Sequence, residues 1–567
     1  MTTTHVPDSP RADPAGATEW FRAARDVLIR LRLDHDAARA AFAWPRPATF
    51  NWALDWFDVV ARDNDRPALE LFDPNGDTAT VSYARMSARS NATANWLRGL
   101  GVARGDRVMI VLGQQRELWE CVLACLKLGS VLIPTYPNLT APEAADRVSR
   151  GRIRHLVCRA DTAGRFDGIT LPGVRIAVPG DVPNWASYDD SLSAATAFTP
   201  AAPTPADDVA FCYFTSGTTD RPKLVAHTHS SYPVGHLSSM YWNGLLPGDR
   251  HVNISAPGWA KHSWSSLFVP WSAEATVVAP RAETLMLEEL PGLLVELRID
   301  TFCAPPSVWR GMRPYLRSAR PALREALSAG EPLEPDLADA IRGAWQVPVR
   351  DGYGQTETTA LVGTTPGLRP RPGWVGKPLP GYQITLEDPD AAGCGELCVD
   401  LATGPVGVMA GYLDDAERTA GIRAGGRYRT GDMAQMSPDG WIRLLGRRDE
   451  MFKSFDRRIS PYEIESVLRL HPAVTDVAVV PLAHPTGGTV AQAVVVPALG
   501  HQPGSALEAT LLTHAARHLS AGLCPRSVRF TDRLPRTMSG KVRRRQLVAE
   551  PAAPVNADAP PPRRRER

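Results

Sequence analysis

From about residue 79 onward the chain alternates helix-periodic stretches with short, continuously apolar runs, and this alternation restricts its fold more than any other feature. The segment SYARMSARSNATANWLRGLG (82–101) is helical in period, whereas RVMIVLG (107–113) and SVLIPTY (130–136) are apolar on successive positions. Strands apolar on both faces and separated by helices are what a parallel sheet covered by helices requires, so an α/β fold is expected. The length of 567 residues, at about 150 residues per domain, accommodates one large domain and a smaller one. Near 446 the texture changes: GRRDEMFKSFDRRISP is charged and turn-like, PYEIESVLRLHP reads as a helix, and VTDVAVVPL and AQAVVVPAL read as strands. The expected organisation is an N-terminal domain over 18–445, a hinge over 446–450 and a small mobile α+β domain over 451–548. Residues 1–17 and 549–567, rich in Pro, Ala and charge without periodicity, are expected to be disordered tails.

Composition removes several function classes. Hydrophobic residues at 44% and charged residues at 22% are ordinary for a globular chain. No apolar run approaches the roughly 18 residues of a membrane span. A net charge of +2 supplies no basic field for nucleic acid. Eight cysteines without a charged-then-apolar leader suggest a reducing, cytoplasmic setting, and neither Cys394/Cys398 nor Cys121/Cys125 is completed into a zinc set. The basic residues are nearly all arginine. Only Lys127, Lys223, Lys261, Lys377, Lys453 and Lys541 are lysines, which makes each surviving ammonium informative.

One local pattern carries phosphate chemistry. In 211-FCYFTSGTTDRPKLVAHTH-229 an aromatic strand runs into Thr215, Ser216, Gly217, Thr218 and Thr219, then Asp220, Pro222 and Lys223. Small residues let backbone N–H groups converge, hydroxyls add donors and a lysine adds a point charge, which together suit a triphosphate. The spacing is not that of a Walker A loop. Taken alone, the stretch is open to a second reading, a polar turn with one exposed lysine.

The same stretch resembles the signature loop, YTSGTTGxPK, of the adenylate-forming superfamily of acyl-CoA synthetases, peptide-synthetase adenylation domains and luciferases. Further segments follow in that family's order: 351-DGYGQTET-358, 428-YRTGD-432, 440-GWIRLLGRRDE-450 and 535-PRTMSGKVRR-544. FNWALDWFD (50–58) and 258-GWAKHSWSSLFVPW-271 resemble the medium-chain and aromatic acyl-CoA synthetase branch.

The resemblance implies ATP and Mg²⁺ as cofactors and a set of roles. Thr215, Ser216, Gly217, Thr218, Thr219 and Lys223 would hold the phosphates. Asp351, Gly352, Tyr353, Gly354, Gln355 and Thr356 would border the nucleotide, with Tyr353 against adenine. Glu357 would be the Mg²⁺ carboxylate. Asp432 would accept the ribose hydroxyls, with Arg447 beside the same ribose or phosphates. Asp449 would be the hinge for rotation of the C-terminal domain, and Lys541 the catalytic lysine that neutralises charge between α-phosphate and carboxylate. Trp259, Lys261, His262 and Trp264 would line the acyl pocket, although aromatics so spaced also serve as core.

Three departures stand out. Asp220 replaces a glycine of the phosphate loop. Asp456 stands where SGYRI or SGHRL places the glycine of the pantetheine channel, and a charged side chain there obstructs a thiol. In 484-HPTGGTVAQAVVV-496, against DPxRGExxKAFVV, Gly487 replaces an arginine that would meet a CoA phosphate, and Thr489 and Gln492 replace glutamate and lysine. The expected enzyme is therefore an AMP-forming ligase that activates a small-molecule oxyacid and passes it to a nucleophilic acceptor other than CoA. An amine is such an acceptor, and activation of nitrite for diazotisation of an aryl amine in specialised metabolism is another use of the fold. The alternatives are an ordinary medium-chain or aryl acyl-CoA synthetase, and a nucleotide-binding scaffold without turnover.

Overall fold

The computed structural model describes residues 14–73, 78–215, 222–281, 285–391, 393–454, 457–484, 489–520, 522–536 and 542–549. They form two compact units: a larger one of 14–215, 223–383 and 399–428, and a smaller one built from 384–398 and 429–549.

The larger unit carries two sheets. In one, Val209–Thr215, Val131–Pro134, Arg107–Val111, His155–Arg159, Arg175–Val178 and Ala186–Ser187 run parallel in that spatial order. Lys223–Thr228 then pairs antiparallel with Val209–Thr215, and Gly411–Tyr412 antiparallel with Lys223–Thr228. The other sheet has a parallel centre of Val349–Gly354, Glu325–Ala329, Thr301–Ala304, Arg250–Asn253, Thr276–Pro280 and Pro67–Phe72, with antiparallel strands at both edges. This is the α/β architecture with parallel-rich sheets that the alternation of periods implies.

The local chemistry explains the boundaries. The helix expected over 82–101 runs Tyr83–Gly99, and the Ser82 hydroxyl accepts from the Arg85 N–H at 3.2 Å as its N-cap. The strands expected over 107–113 and 130–136 are Arg107–Val111 and Val131–Pro134, buried almost throughout. Between them the helix Arg116–Leu128 stops at Gly129, whose φ of +68° is the left-handed conformation glycine tolerates. One expectation needs correcting. The first helix begins at Pro14, inside the stretch read as a tail, because proline lacks the N–H that a first helical turn leaves unpaired. Ala17 is already buried against the core.

The smaller unit holds a four-stranded sheet of Ile384–Glu387, Cys394–Asp400, Arg427–Met436 and Ile442–Arg447. It also holds the antiparallel pair Val474–Ala483 and Thr489–Pro497, flanked by Ser527–Phe530 in parallel. Helices Pro461–Leu468 and Ser505–His518 supply Ile464, Leu468, Leu511 and Ala515 to a core shared with Val477, Val479, Ala493 and Val495. No helix among the described residues is long and apolar enough to cross a membrane.

Candidate active site

The two strands that flank the candidate phosphate loop pair antiparallel. Thr215 ends one strand, Lys223 begins the other, and the two are register partners. The Thr215 hydroxyl oxygen is buried and meets no hydrogen-bond partner among the described residues. A buried hydroxyl without a partner is costly, so this one is suited to an incoming oxygen. Ser216, Gly217, Thr218, Thr219 and Asp220 lie outside the described residues, as do Lys541, Asp456 and Gly487.

A third segment that no sequence motif singled out completes the arrangement. Residues 407–413 run between that strand pair and the DGYGQTET loop. Ala410 N–H donates to Ala226 O at 2.8 Å and Leu413 N–H to Leu224 O at 2.8 Å on one side. Met409 N–H donates to Glu357 O at 2.8 Å on the other. That pairing places Tyr412 between two candidate residues. Its hydroxyl donates to Glu357 Oε1 at 2.9 Å, and Lys223 Nζ lies 5.0 Å from its ring centroid. The only signal for Tyr412 was a lone tyrosine in an apolar strand, which carries no chemistry by itself.

The DGYGQTET loop is held from several sides. Burial pushes the Asp351 carboxyl up to about 8, against the stabilising donation of the Gly352 N–H at 2.9 Å. Gly352 and Gly354 are glycine for a packing reason. A Cβ on Gly352 would stand 2.3 Å from the Trp242 ring, and one on Gly354 would stand 2.4 Å from Thr359 O. Gln355 Oε1 accepts from the Tyr428 hydroxyl at 2.8 Å. His227 Nε2–H donates to Thr356 O at 2.7 Å, so its Nδ1 accepts from the Ser231 hydroxyl. Burial lowers His227 to about 4, which keeps it neutral, and the bond to the Thr356 carbonyl sets the tautomer. Tyr353 and Glu357 are half-buried, and each retains access to solvent.

The candidate pocket residues divide by environment. Trp259 stacks on Tyr136 at 5.7 Å between ring centroids. Lys261 Nζ reaches Ala329 O at 3.5 Å, and burial lowers its pKa. His262 is buried, donates from Nε2 to Gln114 Oε1 at 3.0 Å, and is lowered by burial to about 3. Trp264 is partly exposed and opens a π-turn over Trp264–Phe268, a local irregularity common at functional sites.

In the smaller unit the antiparallel register brings Asp432 opposite Arg447. Arg447 Nη1 lies 3.5 Å from Asp432 Oδ1 and donates to Thr430 O at 3.1 Å, while its Nε lies 3.4 Å from Asp449 Oδ1. Between them Gly431 has a φ of +73°, and a Cβ there would stand 3.0 Å from Arg447 Nη2. The YRTGD glycine is thus required by its left-handed backbone. Asp432, Arg447 and Asp449, separated in sequence, form one charged cluster. Thr489 donates its hydroxyl to Lys453 O, and Gln492, 6% exposed, donates from Nε2 to Ser527 Oγ at 3.0 Å.

Among the described residues no group of three or more His, Cys, Asp or Glu side chains could hold a metal by protein ligands alone. The donor set instead fits Mg²⁺ in the form in which it accompanies a nucleotide, through one carboxylate, substrate phosphates and water. Glu357 meets that description, because Tyr412 engages Oε1 in an orienting hydrogen bond.

Comparison with known proteins agrees over most of the chain. The family model for AMP-binding enzymes matches residues 56–413, and that for the AMP-binding enzyme C-terminal domain matches 463–541. The chain is 36% identical over 514 residues to 4-hydroxybutyrate--CoA ligase 1 of Metallosphaera sedula, covering 88% of this chain and 90% of that one. It is 31% identical over 540 residues to mouse (Mus musculus) mitochondrial acyl-coenzyme A synthetase ACSM3, covering 91% and 93%. Among solved structures, the anthranilate CoA ligase AuaEII in complex with anthranoyl-AMP superposes with a TM-score of 0.80 at 25% identity, covering 88% of this chain and 97% of that chain. ATP-bound MatB from Rhodopseudomonas palustris superposes with a TM-score of 0.77 at 25% identity, covering 87% and 98%.

Proposed function

This chain belongs to the AMP-binding enzyme family and is an AMP-forming ligase of the acyl-CoA synthetase type, and we propose that it activates a small oxyacid with ATP and transfers the activated group from the adenylate to a nitrogen nucleophile, with AMP as the leaving group. The observation that carries the first step is that Tyr412 gathers a cation and a carboxylate, with the Lys223 ammonium over its ring and Glu357 at its hydroxyl. An acid oxygen attacks the α-phosphorus, the bond from that phosphorus to the bridging oxygen breaks, and pyrophosphate leaves. Thr215, Ser216, Gly217, Thr218, Thr219 and Lys223 bind the departing phosphates. Mg²⁺, when bound at Glu357, supplies charge neutralisation for them. Asp432 accepts the ribose hydroxyls, Arg447 stays beside it, and Lys541 offsets repulsion between the acid and the α-phosphate. Asp449 serves as the hinge between the adenylation and transfer orientations.

Support for an acceptor other than CoA, of which a nitrogen nucleophile is the one proposed, comes from the departures at Asp456 and Gly487, and from Thr489 and Gln492, whose hydrogen bonds go to protein partners. A second reading, transfer to CoA, is favoured by the names of the relatives, which are CoA ligases. The cytoplasmic setting stays part of the proposal and rests on cysteine usage, with six of the eight free thiols buried.

The test is a substrate panel followed by pyrophosphate and AMP release, with and without CoA, in which carboxylic acids are compared with nitrite plus an aryl amine. Consumption of the amine without CoA dependence is the expected result. Rapid thioester formation overturns the acceptor assignment, and ADP as product or no turnover at all overturns the first step.

A further inference from the structure

The helix His236–Asn243 carries a histidine that the adenylation chemistry does not use. His236 is 1% exposed. Its Nδ1 lies 2.9 Å from Ser239 Oγ, and Ser239 Oγ also accepts from the Ala360 N–H at 3.2 Å. Among the described residues, the Ser239 hydroxyl hydrogen has no other outlet than His236 Nδ1, which leaves the ring proton on Nε2. That Nε2 meets no hydrogen-bond partner among the described residues. A buried N–H without a partner is destabilising, and natural proteins keep few of them.

The surroundings of this ring are aromatic. It stacks on Trp264 at 5.9 Å between centroids and on Phe268 at 6.3 Å, and it meets the edge of Tyr232 at 4.4 Å. Trp264 belongs to the segment read as pocket lining and is itself partly exposed. Tyr232 lies in turn 4.6 Å from His227, whose Nε2–H is bonded to Thr356 O of the DGYGQTET loop. His236 is therefore one ring removed from the pocket segment and two rings removed from the nucleotide loop, all within one compact unit. Burial holds the imidazole neutral at physiological pH.

We propose that His236 is a specificity-determining residue whose Nε2–H donates to an oxygen acceptor, a hydroxyl or a carbonyl, at the end of the acid remote from the reacting carboxylate. The inference rests on the acid-activation reading above and deepens it by naming the substrate class: a small carboxylic acid with an uncharged oxygen substituent. An apolar aromatic wall of Trp264, Phe268 and Tyr232 with one neutral donor accepts such a group. A bare acid leaves the donor unpaired, which lowers its relative rate.

The experiment compares matched acids by pyrophosphate release: 4-hydroxybutyrate with butyrate, 4-oxopentanoate with pentanoate, and 3- and 4-hydroxybenzoate with benzoate. In the unmodified protein kcat/KM should favour the oxygenated member of at least one pair by about tenfold to a hundredfold. His236→Leu should bring that ratio toward one, and His236→Gln, which keeps an N–H donor, should retain part of it. His236→Phe repeats the test with stacking preserved if the leucine variant does not fold. A preference for the bare acid in every pair, or a preference unchanged in both His236→Leu and His236→Phe, overturns the inference while leaving adenylation intact. Failure of every acid to release pyrophosphate overturns the activation reading and this inference with it.

Discussion

The Tyr412 hydroxyl donates to Glu357 Oε1 at 2.9 Å while its ring lies beneath the Lys223 ammonium, 5.0 Å from the centroid. One tyrosine therefore orients the carboxylate and stands against the cation. Glu357→Gln should lower the pyrophosphate-release rate on the order of 10²–10³, because a neutral amide holds less firmly the Mg²⁺ that offsets charge on the departing phosphates. Tyr412→Phe removes one hydrogen bond to a charged group, an effect of about 1.5–3 kcal/mol in general, and should cost about tenfold or more and raise the Mg²⁺ concentration needed for half-maximal rate. A tyrosine variant with unchanged Mg²⁺ dependence would remove Glu357 from the metal role.

The role proposed for Lys541 requires the C-terminal domain to reach the nucleotide. Lys541→Ala should reduce adenylation on the order of 10²–10³ while ATP binding, read by calorimetry, survives. An unchanged rate would mean that the lysine does not reach the α-phosphate.

Asp432 and Arg447 are opposed by register, with Nη1 to Oδ1 at 3.5 Å. Asp432→Ala should raise the KM for ATP roughly tenfold or more, through loss of charge-assisted acceptors for ribose. The variant should also bind 2′-deoxy-ATP about as well as ATP. Continued discrimination between the two nucleotides would place the ribose elsewhere.

Gly352 leaves no room for a side chain, since a Cβ would stand 2.3 Å from the Trp242 ring. Gly352→Ala should destabilise the larger unit by about 1–3 kcal/mol through overpacking, measured by urea unfolding. A loss too small to resolve would show that the indole moves at little cost.

Acid should weaken the larger unit. Burial lowers His227 and His229 to about 4, and His251 and His262 to about 3, against 6.5 in the unfolded chain. The unfolded chain thus binds more protons in this window, so the stabilisation is complete above pH 6.5 and is lost as pH falls toward the folded-state values. Asp351 acts in the opposite sense: raised from 3.8 to about 8, it contributes stability that is complete below 3.8 and is lost as pH rises through 8. Four histidines outweigh one carboxyl between pH 6.5 and 4. The melting temperature should fall steadily from pH 7 to pH 5 in calorimetric scans, and a flat profile would contradict the buried neutral state of these rings.

What the sequence determined by itself was carried by local patterns. Alternating periods specify strands and helices, because a strand buried on both faces must be apolar at every position, as Arg107–Val111 and Val131–Pro134 are in all but one place. Ordered motifs specify the family, because Thr215, Glu357 and Asp432 each sit in a recognisable string. Tertiary structure decided the relations between strings. Tyr412 stands at Glu357 only because residues 407–413 pair with two segments distant in sequence, and Arg447 meets Asp432 only through antiparallel register. The burial that leaves His236 Nε2 without a partner among the described residues also depends on residues far from it in the chain. Hydrogen-bond pairing and desolvation are set by which surfaces meet in space, and no local periodicity encodes that meeting.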